Sequence, residues 1–444
     1  MFYTRGVRRP SWGHTMMGVY NAALAPLRLA AAAWAFRHSR GPRAEEWRER
    51  LARRLPDMRR HGGIWVHGAS VGEARIVSAI ARGLRALRED LPIAVSAVSP
   101  TGRAQLPAAP AVDAAFFLPL DFAGLPTRVL GAVAPRVLTL VETELWPNLL
   151  REANRSAVSV LLVNARLSPG RMRWYRRLSR LYAPLLEGVA GVGARSEADA
   201  ARFCELGVPP TSIRVTGNVK YDLPVPATDR SAARHELGIP ADRPVLVAGS
   251  TRAGEETILL GGWRRARPIV PDLLLVLAPR HPERFGDVER MLGASGVRAK
   301  RWSARDASPG PRTEVLLLDT LGMLGTAYVA GDVAFVGGTL VPIGGHNLLE
   351  PAAAGLPVLF GPHTENVDDS AAELLGARGA VRVLGAEDLA ATVVRLVTDS
   401  SVAREMGRAA QRVVETNRGA LGRTIDLVLA TLDARTTRAA ASVP

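Results

Sequence analysis

The chain has 444 residues, 47% of them hydrophobic, and a formal net charge of +15. That length accommodates two or three domains, each with a packed core, and a single cysteine, Cys204, excludes an intrachain disulfide and fits a reducing compartment. The charge predicts an anionic partner, whether membrane surface, nucleic acid or phosphorylated substrate.

The N-terminus carries much of that charge: residues 1–60 hold 13 arginines against 4 acidic residues. Within it, Tyr20 to Phe36 is mostly apolar and alanine-rich, interrupted by Arg28 and followed by Arg37, Arg40 and Arg43. The run falls short of the roughly 20 apolar residues that a spanning helix needs. No clean small-residue cleavage site follows, as a signal peptide would require. It reads as an uncleaved helix in a membrane interface, its arginines on anionic head groups. The alternative is a soluble amphipathic helix packed on another domain.

From Gly62 onward, short apolar runs alternate with helical ones. Strands are predicted at Gly63–Val66, Pro92–Val98, Arg136–Val141, Ser159–Val163, Val189–Val192 and Ile213–Thr216, with a helix over Gly72–Arg88. Such alternation predicts a parallel sheet with helices on both faces. Residues 217–243 break the pattern and read as a linker. A second set of strands follows near Val245–Ala248, Leu273–Leu277, Val297–Lys300, Val315–Leu318, Val333–Val336, Val358–Phe360 and Val381–Val383, then a helical tail from Asp388. The expected organisation is a basic, apolar segment (1–45), two Rossmann-like domains (46–225 and 226–430) and a frayed end (431–444). Cys204 lies in a helical pattern and reads as a small core residue. Two α/β domains imply a crevice lined by the loops beyond the carboxyl ends of the strands.

Those loops carry the polar residues. His67-Gly68-Ala69-Ser70-Val71-Gly72-Glu73 follows a strand and opens a helix. Glu73 there is a general base for a hydroxyl, or a first-turn glutamate complementing the helix dipole. Glu142-Thr143-Glu144-Leu145-Trp146-Pro147-Asn148 places two carboxylates at a strand end, to bind sugar hydroxyls or ammonium-like groups or to orient the base. Hard cations draw more oxygen ligands than this, so a metal-free mechanism is expected. Gly249-Ser250-Thr251 is a phosphate-sized turn, and Ala278-Pro279-Arg280-His281-Pro282 offers the planar fork of Arg280 to a phosphate. Asp319-Thr320-Leu321-Gly322-Met323-Leu324 closes another strand. Val336 to Pro351 runs from a strand through a glycine-rich turn to a helix start, which predicts an anion held by loop amides. A turn that merely reverses the chain is the alternative.

Taken together, these loops and Asn164-Ala165-Arg166-Leu167-Ser168, Gly217-Asn218-Val219-Lys220-Tyr221-Asp222 and Gly344-Gly345-His346-Asn347-Leu348-Leu349-Glu350-Pro351 resemble the bacterial Kdo transferases. That family adds 3-deoxy-D-manno-octulosonic acid (Kdo) to a lipid A precursor. The resemblance spans about residues 16–430. It implies a two-domain α/β glycosyltransferase of the GT-B type, inverting, using CMP-Kdo without metal or other cofactor. It also implies an enzyme on the cytoplasmic face of the bacterial inner membrane. Glu73 matches the family's general base and Glu144 its second acidic position. CMP contacts carry over to Pro279 and Arg280, to Leu321, Gly322 and Met323, and to Asn347, Leu348, Leu349 and Glu350. Met323 departs from the family's usual glutamate, so a carboxylate role there is lost. Arginines 37–60 and Arg166, Arg171, Arg173, Arg176, Arg177 and Arg180 are then expected to meet acceptor phosphates or the anionic membrane, unless the second group is a solvated helix face. Two rivals exist: another GT-B transferase or epimerase using a UDP-sugar, and a nucleic-acid binder. The second lacks aromatic-basic interleaving and any binding motif, so no nucleic-acid partner is expected.

Overall fold

The computed structural model describes residues 12–38, 40–41, 43–223, 228–304 and 312–441. The basic flank before residue 12 and the last three residues of the expected frayed end lie outside them. The chain divides into two units, Met1–Leu223 with Gly419–Pro444, and Pro224–Arg418.

The first unit is built on seven parallel strands: β1 (Ile64–His67), β2 (Ile93–Ala97), β3 (Ala114–Phe117), β4 (Val137–Val141), β5 (Ser159–Ala165), β6 (Val189–Ala194) and β7 (Ile213–Val215). Their order is β3-β2-β1-β4-β5-β6-β7. Strands β1, β2 and β4 are buried along their whole length, as expected when helices cover both faces of a parallel sheet. On one face, Trp65, Leu138 and Leu140 join Leu149 and Leu150; on the other, Ile64, Val66 and Val141 pack on Ile76, Ile80 and Leu84. Trp65 is fully buried and donates its Nε1–H to Ser96 Oγ at 2.7 Å, so truncating it to alanine costs about 3–5 kcal/mol.

The helix over Trp12–Arg37 lays Met17 and Ala35 on this unit and turns Leu27, Leu29 and Phe36 outward. Tyr20 Oη donates to Asp121 Oδ2 at 2.9 Å, and Asn148 Nδ2 donates to Asn21 Oδ1 at 2.8 Å. Among the described residues, no helix is long and apolar enough to cross a membrane. One basic residue expected to face head groups does not: Arg50 is buried and ion-paired with Glu46 at 2.9 Å.

The second unit repeats the plan with β8 (Val245–Thr251), β9 (Leu274–Pro279), β10 (Ala299–Arg301), β11 (Val315–Leu317), β12 (Val333–Val336), β13 (Val358–Phe360) and β14 (Ala380–Arg382). Their order is β10-β11-β9-β8-β12-β13-β14, again all parallel. Each sheet therefore reverses direction of strand succession at one point, β1/β4 in the first unit and β8/β12 in the second. Loops diverge there, and ligands of doubly wound sheets enter there.

Three expectations change. The chain after Gly419 returns to the first unit instead of ending the second domain at 430. The helix Ala420–Ala441 buries Ile425, Val428 and Leu432 among Ile80, Leu84 and Val141, and Asp222 accepts the N–H groups of Gly419 and Leu421 at 2.7 and 2.8 Å. Residues 217–243 are not featureless: a 3-10 turn spans Val219–Asp222 and a helix spans Arg230–Glu236, its Ala233 in the second unit's core. Cys204 is only half-buried, not a core residue.

Candidate active site

At the first unit's reversal point the loop after β1 opens the helix Val71–Leu87. Ser70 is its N-cap and Glu73 its third residue, a capping-box pattern readable in the sequence. Glu73 N–H donates to Ser70 Oγ at 3.3 Å, Ser70 Oγ donates to Glu73 Oε1 at 2.8 Å, and Ala69 N–H donates to Glu73 Oε2 at 2.6 Å. The cap fixes the carboxylate at the mouth of the sheet. Gly68 is needed because a Cβ there would lie 2.9 Å from Glu73 Cβ and from Val77 Cγ2.

The neighbouring loop after β4 brings Glu142 and Glu144. Glu142 adopts a left-handed backbone (φ +63°), as does Asn164 (φ +50°) at the end of β5. Non-glycine residues take that conformation at a cost of about 1–3 kcal/mol and persist where surrounding structure enforces it. Here Glu142 N–H is held by Val163 O at 2.9 Å, and Asn164 Oδ1 accepts Val219 N–H at 2.9 Å. The second contact anchors the 3-10 turn carrying Lys220, whose Nζ meets Glu142 Oε1 at 2.8 Å. Trp146 Nε1–H donates to Glu144 Oε2 at 3.0 Å.

Three carboxylates therefore share one electrostatic environment. Burial pushes Glu142 up, but Lys220, Arg195 and Arg166 outweigh it and hold it below the usual carboxylate range. Glu73 is raised, first by burial and then by the Glu142 charge; the hydrogen bonds from Ala69 and Ser70 and the charge of Lys220 oppose the rise. Burial and then the Glu73 charge push Glu144 up to about 7. Burial first, and the charges of neighbouring carboxylates second, thus leave Glu73 and Glu144 more basic than free carboxylates, which is what proton abstraction near neutral pH requires.

In the second unit, Arg280 follows β9, its N–H bonded to Thr251 O at 3.0 Å. Pro279 is buried as the last residue of β9. Leu321 is exposed, Gly322 has φ +95°, and Met323 precedes the helix Leu324–Ala330 with its side chain against the core. Leu348 and Leu349 are buried in the protein, so only their backbone can reach a nucleotide. Asn347 Oδ1 accepts Leu349 N–H at 3.2 Å, and its Nδ2 donates to Glu350 Oε1 at 3.0 Å.

The glycine-rich loop departs from expectation. The N–H groups of Gly338, Thr339 and Leu340 do not face an open anion site; they donate to the fully buried carboxylate of Glu255 at 2.7, 2.9 and 2.8 Å. Glu255 also accepts Arg252 N–H at 2.9 Å. The internal carboxylate supplies the anion that a loop of this composition favours. Gly337 permits the close approach, since a Cβ there would lie 2.5 Å from Ser250 O.

Sequence reasoning gave no role to Lys220, Arg195 or Arg252. Lys220 had a usable signal: it is one of two lysines, with Lys300, among 57 basic residues. Arg195 and Arg252 had none, because each lies in an unremarkable position after a strand.

Residues 45–223 match the family model described as 3-deoxy-D-manno-octulosonic-acid transferase (Kdo transferase). A 3-deoxy-D-manno-octulosonic acid transferase of Bordetella pertussis is 36% identical over 374 residues, covering 82% of this chain and 86% of the relative. One from Haemophilus influenzae is 35% identical over 373 residues, with the same coverages of 82% and 86%. Among solved structures, Anabaena HepE in complex with UDP and glucose superimposes with a TM-score of 0.55 at 15% identity, over 84% of this chain and all (100%) of that one. The two parallel-sheet α/β units thus have the GT-B fold.

Proposed function

Because this chain belongs to the family of 3-deoxy-D-manno-octulosonic acid transferases, we propose that it moves Kdo from CMP-Kdo to a lipid A precursor, with inversion at the anomeric carbon and without a metal. Glu73 removes the proton of the acceptor's primary hydroxyl as that oxygen attacks the anomeric carbon of Kdo. The bond from that carbon to the phosphate oxygen breaks, and its electron pair leaves with CMP. Arg280 stabilises the charge gathering on the departing phosphate. Glu144 orients the acceptor, and the ion pair with Lys220 keeps Glu142 ionised beside the base. Backbone groups of residues 321–323 and 347–350 hold the nucleotide.

The observation that supports this most is the raised basicity of Glu73 beside the charged Glu142, at the reversal point of the first sheet. The helix Trp12–Arg37, with Leu27, Leu29 and Phe36 outward, lies in the interface of the cytoplasmic face of the inner membrane. Exposed Arg171, Arg173, Arg176, Arg177 and Arg180, with half-exposed Trp174 among them, meet acceptor phosphates or anionic head groups. The test is incubation with CMP-Kdo and a tetra-acylated lipid A precursor, the product read by mass. Addition of Kdo with release of CMP supports the reading. No product from CMP-Kdo, with turnover of a UDP-sugar instead, refutes it.

A further inference from the structure

Among the buried polar atoms of the second unit without a hydrogen-bond partner, Arg252 Nε and His346 Nε2 lie together, apart from Arg301 Nε on β10. Both belong to the reversal point of the second sheet. Arg252 follows β8, and His346 lies over the loop after β12, where a Cβ on Gly338 would stand 3.1 Å from its Nε2. The Arg252 side chain is half-buried, and a buried guanidinium N–H left unanswered is unfavourable.

The two acids that follow Arg252 in the chain, Glu255 and Glu256, do not answer it, and Glu283 stands on the far ring nitrogen of His281, 3.6 Å from its Nδ1. Glu255 is engaged by four backbone N–H groups, those of Arg252, Gly338, Thr339 and Leu340. Glu256 accepts from Arg284 at 2.6 and 3.2 Å and from Thr251 Oγ1 at 2.9 Å. The guanidinium instead rests its Nη1 against His281 Nε2, a neutral acceptor. His346 stays neutral, held down to about 3 by burial and then by the charges of Arg280 and Arg252. This corner therefore has two positive side chains on adjacent strand ends, beside a neutral imidazole with a buried, unanswered ring nitrogen.

The proposed donor carries two anions, a phosphodiester and the carboxylate of its sugar acid. Arg280 is assigned the first. We infer that Arg252, with His346 beside it, forms a separate subsite for the sugar carboxylate of the donor. The Nε edge of a guanidinium offers paired N–H donors that match a carboxylate in bidentate fashion. In its Nε2–H tautomer His346 adds one donor without adding charge. This inference rests on the donor proposed above.

The test compares full-length wild type with Arg252→Ala, Arg252→Lys and His346→Gln. CMP affinity is measured by calorimetry and the KM for CMP-Kdo by mass-resolved transfer. Arg252→Ala should bind CMP within about twofold of wild type while its KM for CMP-Kdo rises roughly tenfold or more. Arg252→Lys should recover part of that loss, and His346→Gln should show a smaller rise. Equal weakening of CMP and CMP-Kdo would make Arg252 a phosphate ligand and overturn the inference, as would no change in either. Those outcomes leave the donor assignment standing. A folded wild type that binds CMP but transfers nothing from CMP-Kdo refutes the donor and the subsite together.

Discussion

Replacing Glu73 by glutamine separates chemistry from folding, because the hydrogen bonds around it can survive the exchange. Ala69 N–H now donates to Glu73 Oε2 and Ser70 Oγ donates to Oε1. In Glu73→Gln the amide oxygen still accepts from Ala69, and the amide N–H₂ donates to Ser70 Oγ, which turns its own proton elsewhere. The capping box persists, so the loss of stability stays near or below about 1 kcal/mol, about 2–4 °C in the melting temperature for a unit of this size. The amide cannot take a proton, so transfer should fall by about 10²–10⁴-fold, equivalent to about 3–5 kcal/mol in the barrier. CMP affinity should not move, since the residues assigned to CMP belong to the second unit. The measurements are CMP release, product mass, a thermal melt and calorimetry with CMP. A folded Glu73→Gln enzyme turning over within about tenfold of wild type would mean that Glu73 is a helix cap and nothing more.

Glu144→Gln tests the acidic environment through pH. The folded pKa of Glu144 is raised to about 7, so its stabilising contribution is full below the unfolded value and is lost as pH rises through about 7. The melting temperature of Glu144→Gln relative to wild type should therefore rise between pH 5 and pH 8; a difference independent of pH contradicts the assigned shift. Tyr20→Phe removes the donor to Asp121, which keeps the N–H groups of Asn148 and Leu149 at 2.9 Å. Loss of about 1 kcal/mol in the docking of the helix Trp12–Arg37 should speed its amide exchange about fivefold, and unchanged protection would show that the hydroxyl does not dock it. Glu255→Gln sets an amide N–H₂ against backbone N–H groups of the glycine-rich loop and should destabilise the second unit by about 1–3 kcal/mol. An unaltered melt would show that the loop does not depend on the carboxylate.

Much of the fold was visible in the chain because buried parallel strands write themselves as continuous apolar runs. Val333–Val336 and Val358–Phe360 appear in the structure with the predicted bounds. The edge strand Ala114–Phe117 escaped because its Ala-Ala-Phe-Phe run is short and only partly buried. The helix Ala420–Ala441 reads as helix in either unit; only the match of Ile425, Val428 and Leu432 to the first unit's core assigns it. The site was legible where local rules specify it, as in the capping pattern of Ser70 with Glu73. It was not legible where partners lie far apart in sequence, as with Lys220 and Glu142.

Local chemistry along the chain, apolar period, turn residues and helix caps, was enough to determine which segments are strands and which loops carry carboxylates and arginines. Tertiary structure alone decided which charges meet. Packing at the end of β4 sets Lys220 against Glu142, and burial beside that carboxylate raises Glu73. Packing beyond β8 closes the glycine-rich loop on Glu255 and leaves the Nε of Arg252 buried without a partner. The reason is that a charge acts over distances in space, and a sequence specifies those distances only once it is folded.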